Sequence, residues 1–534
     1  MDILRRFRTR LTPQRRRADP RQVRNSAGGF TFELDDVARL RRFLTLGTDG
    51  GTYYVDAPAL TVEDAEVVLR LAGTDHATLV DTVVEVSESG RAPRQQPALF
   101  ALAIAASHGT AEERGRALAV LPRVARTGTH LLTFAGYVEQ FRGWGRSLRR
   151  AVGDWYLRPD VDAVAHQVVK YRSRGGWSHR DLLRLAHPAA TEPARRALFE
   201  WIVRGTVGDD TPSLVTGHLA AHEPDADVPA LVAAHRLGWE TLPDEALTRA
   251  STWAALLDAG LPQTALLRQL PRLTRLGLLE PGSAHLDAVL DRLTDPERLR
   301  RARVHPVSVL VAARTYAAGR SARGAGTWEP VPQVVDALDA AFHAAFGAVE
   351  PAGRRTLLAL DVSGSMGARI SGLPLSCREA SAALALVTAA TEPSCEVVGF
   401  TAADGRSSST RARAALRRLD LGPRRRLADA VHAVGGLPFG ATDCAQPMLW
   451  ALDQGREVET FVVYTDNETW HGEVHPHQAL RRYRERTGID ARLVVVGMTA
   501  TRFSIADPTD AGMLDVAGFD AAVPALVSDF SAGR

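Results

Sequence analysis

The chain has 534 residues, 45% of them hydrophobic and 24% charged, the composition of a globular protein too long for one ordinary core. A formal charge of +3 excludes polyanion binding driven by net charge alone, so any such site must be a local patch. Only Cys377, Cys395 and Cys444 are cysteines, which excludes a disulfide framework or a CxxC zinc site and points to a reducing, cytoplasmic compartment.

In chain order, the N-terminus carries Arg5, Arg6, Arg8, Arg10, Arg15, Arg16 and Arg17 without the apolar core of a signal peptide. Residues 1–20 are therefore expected to be a basic, flexible arm in solvent. No apolar stretch approaches the roughly 18 residues that cross a bilayer, so no membrane partner is expected. From about residue 35 to 345 apolar residues recur with a helical period, in short runs broken by Gly, Pro, Asn or Asp. Thr61 and Asp64 have capping-box spacing ahead of Ala65–Leu71. Comparable runs lie at Pro97–Ala106, His130–Phe141, Asp162–Tyr171, Leu182–His187, Glu192–Val203, Ala254–Gly260, Thr264–Arg275 and Val307–Ala318. Residues 21–350 thus predict an all-α stack of helical repeats, each pair burying its apolar face on the next.

One segment of this stack is chemically distinct. Val161–Arg174 reads as a helix with His166, Lys170 and Arg174 on one side, broken by Gly175-Gly176. Ser178-His179-Arg180-Asp181 has capping-box form and opens a second helix that ends at His187 before Pro188. Such a pair would gather Lys170, Arg172, Arg174, His179, Arg180, Arg184 and His187 beside Tyr171 and Trp177, a set suited to phosphate contact and base stacking. In an arginine-rich chain the same residues also fit an ordinary solvated face. Lys170, however, is the only lysine among 65 basic residues, and a compact ammonium is not interchangeable with a guanidinium.

Near Thr356 the pattern changes. Apolar runs at Thr356–Leu360, Glu396–Phe400, Thr460–Tyr464 and Arg492–Val496 alternate with helical patterns such as Arg378–Ala390 and Gln446–Asp453. Residues 351–534 therefore predict a doubly wound, mostly parallel α/β domain with its ligands at the carboxyl ends of the strands. Asp361-Val362-Ser363-Gly364-Ser365 follows the first strand and puts a carboxylate and two hydroxyls on one side of a turn. Gly440-Ala441-Thr442-Asp443 supplies a second oxygen source and Tyr464-Thr465-Asp466-Asn467 a third. Each alone fits an ordinary Asx turn. Together, in order and at strand ends, they describe a hard-oxygen site for a divalent metal, best suited to Mg²⁺.

The ordering resembles the metal-ion-dependent adhesion site of von Willebrand factor A domains. That resemblance implies ligation by Asp361, Ser363, Ser365, Thr442 and Asp466, the last able to act through water, and an open position for an acidic group of a partner. Enzymatic alternatives fail on spacing. G-x-S-x-G around Ser365 would need Gly at 363, where Ser stands, and His471-Gly472-Glu473 lacks the Pro-Cys-x-x-Cys of a deaminase. No Walker A loop occurs. A non-enzymatic protein is expected.

A second resemblance covers residues 20–534. Asn25-Ser26-Ala27-Gly28-Gly29, Arg42-Phe43-Leu44, Gly50-Gly51-Thr52-Tyr53-Tyr54, Trp144-Gly145-Arg146, Lys170-Tyr171-Arg172, Gly176-Trp177-Ser178-His179, Thr264–Arg268, His305-Pro306, Leu358–Met366, Thr442-Asp443-Cys444 and Thr465–Trp470 resemble the TROVE module and A domain of the Ro autoantigens, in that family's order. The resemblance implies a monomeric ring of HEAT-like repeats clasped by the A domain. It also implies binding of small noncoding Y-type RNA on the outer surface, through Lys170, Arg174 and His187, with Arg172 and Arg180 beside them. Single-stranded 3′ ends of misfolded RNA would enter the central hole, and an exoribonuclease would be a partner. The alternative is a metal-dependent protein–protein adaptor, with the A domain active and the ring a scaffold.

Overall fold

The computed structural model describes residues 11–47, 65–321, 325–346, 349–368, 375–401, 416–422, 425–435, 440–499 and 501–534. The arginines at 5, 6, 8 and 10, the Gly50–Tyr54 string and the Thr61/Asp64 pair lie outside them. The described chain opens with two short strands, β1 (Gln22–Arg24) and β2 (Phe30–Glu33), paired antiparallel. The expectation of a solvated arm fails for residues 11–20, whose backbone is docked. Gln14 is fully buried, its amide nitrogen donates to the Gly472 carbonyl at 2.8 Å, and the Arg16 carbonyl bonds the His475 ring at 2.8 Å. The side chains of Arg15, Arg16 and Arg17 stay exposed, which is the part that composition predicts.

Short helices then run in series to Ala344. Their ends follow local chemistry. Asp35 accepts from the Ala38 amide at 2.8 Å to open the helix Asp36–Leu46, and Gly47, at φ 93°, closes it in the left-handed region that favours glycine. Thr110 and Glu113 form a reciprocal capping box for Ala111–Ala119. Gln96–Ala105 is apolar all round because helices His76–Ser89 and Gly128–Phe141 cover it, and every residue from Pro97 to Ala105 is buried. Helices close in sequence pack on one another, some on the next helix (Val228–His235 on Ala250–Asp258, Pro306–Ala317 on Pro332–Ala344) and some on one further along (Arg146–Leu157 on His179–Ala186).

The segment 161–187 departs from the expected helix pair. The first helix stops at Lys170, and Ser173–Arg174 (β3) pairs antiparallel with Trp177–Ser178 (β4) across Gly175 and Gly176 at φ 55° and 84°. Two consecutive positive-φ residues make the turn whose twist suits a hairpin, so the glycines fold the chain back instead of only ending a helix. Arg174 therefore stands on the hairpin and not on the helical face of His166 and Lys170. Helix His179–Ala186 follows, with the predicted Ser178–Asp181 capping box at its start and His187 in the left-handed region at its end.

The remainder is an α/β domain. Strands β5 (Thr356–Asp361), β6 (Cys395–Phe400), β7 (Leu416–Leu419), β8 (Thr460–Thr465), β9 (Arg492–Gly497) and β11 (Met513–Ala517) form one sheet in the order β11-β9-β8-β5-β6-β7. All neighbours run parallel except β6 and β7. Alternate residues feed opposite faces: Leu358, Leu360, Val462 and Tyr464 one core, Leu357, Ala359, Phe461 and Val463 the other. The short β10 (Phe503–Ser504) leaves this sheet to pair with β2, so the N-terminus and the α/β domain share a three-stranded sheet.

Both ends of the helical series land on this domain. Helices Pro306–Ala317 and Pro332–Ala344 merge into one continuous core with Cys377–Thr391 and the sheet. At the other end the buried Arg42 reaches Asp515 of β11 at 2.7 and 2.9 Å, and Arg91 pairs with Asp520. The chain thus closes on itself. No helix among the described residues is long and apolar enough to cross a membrane, and the three cysteines are unpaired.

Candidate metal site and basic surface

β5 lies at the centre of the sheet, where strand order reverses between β6 on one side and β8 on the other. A crevice opens outside the carboxyl ends of strands at such a reversal. Asp361 closes β5 and Asp466 follows β8, so the two carboxylates face the same crevice. The Ser363 amide donates to Asp361 Oδ1 at 2.9 Å and the Thr465 hydroxyl to Oδ2 at 2.7 Å, which fixes the carboxylate while leaving lone pairs on both oxygens. Ser363 and Ser365 hydroxyls stand 3.2 Å apart. Asp466 Oδ1 accepts from the Glu468 amide at 3.1 Å.

Asp361, Ser363, Thr442 and Asp466 are buried, whereas Ser365 is exposed and marks the mouth. Neither carboxylate has an ion-pair partner among the described residues. Arg378, the cation beneath the loop, donates to the Val362 carbonyl at 2.5 Å and the Ser363 carbonyl at 3.2 Å. Burial and then the neighbouring Asp466 raise Asp361 above the usual carboxylate range, and burial raises Asp466 against the hydrogen bond from Ser365. The Thr442 loop reaches the same place, since Cys444 is close enough to both carboxylates for their charge to raise its thiol further after burial. The predicted oxygen sources thus converge. Two buried, like-charged carboxylates beside three hydroxyls are costly alone and suit a hard divalent cation, for which Asp361, Ser363, Ser365, Thr442 and Asp466 have oxygens at hand.

The basic residues lie on three consecutive elements: helix Val161–Lys170, the β3–β4 hairpin and helix His179–Ala186. Arg172, Arg174, Arg180, Arg184 and His187 are exposed. None of those four arginines has an ion-pair partner among the described residues. Burial depresses His218 and Arg172 is close enough to add to that, while burial raises Tyr137 against the nearby charge of Arg174. The cations therefore spread along the surface, from helix Gly128–Phe141 to helix Ser213–Ala220, more than the sequence implies. Trp177 lies against Trp144 beside this row, ring centroids 5.3 Å apart and planes tilted by 41°.

Two residues behave differently from expectation. His179 is buried, not exposed: its Nδ1 meets the Tyr156 hydroxyl at 2.6 Å, and burial pushes its pKa down to about 4, so it serves the core. Lys170 is not a free cation. Its ammonium pairs with Glu240 at 3.0 Å, a partner 70 positions away that no local pattern reveals. Burial, the largest single effect, opposes the charge on Lys170, but the hydrogen bond and charge of Glu240, with Tyr171 beside them, together hold the pKa above the usual lysine range.

Comparisons agree with this architecture. The family model described as the TROVE domain matches residues 23–207 and 234–315, and the model of the Ro60 vWA domain matches residues 355–531. The chain is 46% identical over 531 residues to the RNA-binding protein RO60 of Deinococcus radiodurans, covering 98% of this chain and 97% of that protein. It is 34% identical over 608 residues to the RNA-binding protein RO60 of Caenorhabditis elegans, covering 98% and 92% respectively. Among solved structures it is similar to the crystal structure of the Deinococcus radiodurans RO (RSR) protein, with a TM-score of 0.71, 45% identity, and coverage of 93% of this chain and 100% of that one.

Proposed function

This chain belongs to the Ro60 family of TROVE-domain proteins, and from that premise we propose that it is a cytoplasmic, non-enzymatic RNA-binding protein. Its ligands are small noncoding Y-type RNA and single-stranded 3′ ends of misfolded RNA, and its role is in noncoding-RNA stability and quality control. The observation that carries the assignment is the exposed row of Arg172, Arg174, Arg180 and His187, contiguous with Lys170 and flanked by the Trp144–Trp177 pair. Guanidinium groups without carboxylate partners can take phosphates, and half-buried indoles can stack on unpaired bases. For single-stranded ends, a cleft of about 330 Å³ between helices Gln263–Arg275 and Pro306–Ala317 offers an apolar floor (Leu267, Pro271 and Val311) flanked by Arg94 and Arg268.

The same metal centre supports a second role, as a docking point for protein. A Mg²⁺ ion held by Asp361, Ser363, Ser365, Thr442 and Asp466 would supply a Lewis-acidic position for a partner's carboxylate. Exposure of Ser365 alone among these residues favours that use, because it leaves the site open on one side. An exoribonuclease is the partner proposed.

Salt dependence and chelation separate the two roles. With about six phosphate contacts, affinity for a Y-type RNA should fall ~10³-fold between 50 and 200 mM salt and be indifferent to EDTA. Capture of a protein partner should respond in the opposite way. An RNA affinity flat in salt would contradict the assignment of the basic row.

A further inference from the structure

The Asn25–Gly29 string and the polar residues before it have no part in either binding surface, yet they are built against the metal loops. Gln14 is buried 429 positions from Asp443 and joins both loops through one side chain. Its Nε2 donates to Asp443 Oδ1 and to the Val474 carbonyl, each at 2.7 Å, and its Oε1 accepts from the Thr469 hydroxyl at 2.5 Å. That hydroxyl in turn accepts from the Cys444 amide at 3.0 Å, and the Thr442 carbonyl accepts from the Trp470 and His471 amides at 3.2 Å each. Asn25 completes the clasp. Its Oδ1 accepts from the Gly29 amide at 2.7 Å, and its Nδ2 donates to the Thr469 carbonyl at 2.8 Å. A Cβ at Gly29 would collide with that same carbonyl, so the close approach requires glycine. The Ala27 amide donates to Glu468, two residues beyond Asp466, at 2.9 Å.

We propose that this N-terminal strap, through Gln14 and Asn25, is the positioning element of the metal site. It holds the Thr442 and Asp466 loops at the separation that a divalent cation needs. The proposal rests on the metal assignment made above. Its physical basis is that donor oxygens must sit within a few tenths of an ångström of their ideal places. Thr442 and Asp466 stand on different loops, and among the described contacts it is Gln14 that spans Asp443, Thr469 and Val474. The residues that orient metal ligands are themselves worth about 10- to 100-fold in metal affinity.

The test is titration of the full chain with Mn²⁺ as the probe, followed by electron paramagnetic resonance. It compares the wild type with Gln14→Ala, Asn25→Ala, Arg21→Ala and Asp361→Ala, with thermal melts alongside. Arg21 anchors the strap to Asp507 and Thr509 and, among the described contacts, makes no hydrogen bond or ion pair to either loop, so it serves as the control for docking alone. Gln14→Met keeps the volume but can neither donate to Asp443 nor accept from Thr469, and reads the same effect if Gln14→Ala does not fold. The expected result is an Mn²⁺ dissociation constant about tenfold weaker in the Gln14 and Asn25 variants and within about twofold of wild type in Arg21→Ala. Wild-type affinity in folded Gln14 and Asn25 variants, with binding lost in Asp361→Ala, would overturn the positioning role and leave the metal site standing. No saturable Mn²⁺ binding by the wild type, or binding retained in Asp361→Ala, would overturn both.

Discussion

At the scale of single residues, the ion pair between Lys170 and Glu240 changes what the lysine can do. The ammonium proposed for phosphate is already paired, with side-chain exposures of 15% and 22% for the two partners, so an RNA phosphate bound there would have to displace or share Glu240. A pair this accessible to water is worth about 0.5–1 kcal/mol, and its release converts to roughly 2- to 5-fold in affinity. Glu240→Gln should therefore tighten binding of a Y-type RNA by that factor. The gain should vanish when Lys170 is also alanine, which a filter-binding double-mutant cycle would resolve. An equal gain in both backgrounds would mean that Glu240 acts only as a diffuse negative charge. The cluster of five oxygen-bearing residues proposed for the metal was legible because a local motif brings most of them together. Glu240 and Gln14 were not, because each meets its partner across tens or hundreds of residues with no local signature.

At the scale of elements, legibility followed composition. Thr356–Asp361 and Thr460–Thr465 are buried on both faces and read as strands, and the helix Gln446–Asp453 was delimited to the residue. Leu416–Leu419 exposes Arg417 and Arg418 as an edge strand, and Met513–Ala517 carries Asp515, whose charge is committed to Arg42, so neither looks like a strand in isolation. At three residues or fewer, Gln22–Arg24 and Ser173–Arg174 have no periodicity to read. The helix Pro306–Ala317 shows how an element end carries pH dependence. The Val307 amide donates to His305 Nδ1 at 3.1 Å while Nε2 faces the Arg91 carbonyl at 3.0 Å, so the cap needs a neutral ring. Burial pushes its pKa from 6.5 down to about 4. Below pH 6.5 the unfolded chain takes up a proton that the folded chain refuses until about pH 4, so this contribution is present above pH 6.5 and lost as pH falls through that window. Urea unfolding should lose ~1.4 kcal/mol per pH unit more in the wild type than in His305→Asn, which keeps a capping oxygen. Parallel profiles would contradict the cap's role.

At the scale of the molecule, the closed course of the chain separates two chemistries. Lys170 to His187 lie in the middle of the helical series, while Asp361 and Asp466 lie in the α/β domain on which both of its ends are docked. Among the described contacts their hydrogen-bond networks share no residue, so Asp361→Ala should change RNA affinity by less than about twofold while abolishing Mn²⁺ binding. A large loss of RNA binding in a variant with wild-type circular dichroism would mean that the two surfaces are coupled. The most direct test of the central claim is crosslinking and sequencing of RNA bound in cells to the wild type and to Lys170→Ala/Arg174→Ala/His187→Ala. A discrete small structured RNA, enriched on the wild type and lost from the variant, is the predicted result; the same RNA population on both, or none on either, would contradict it.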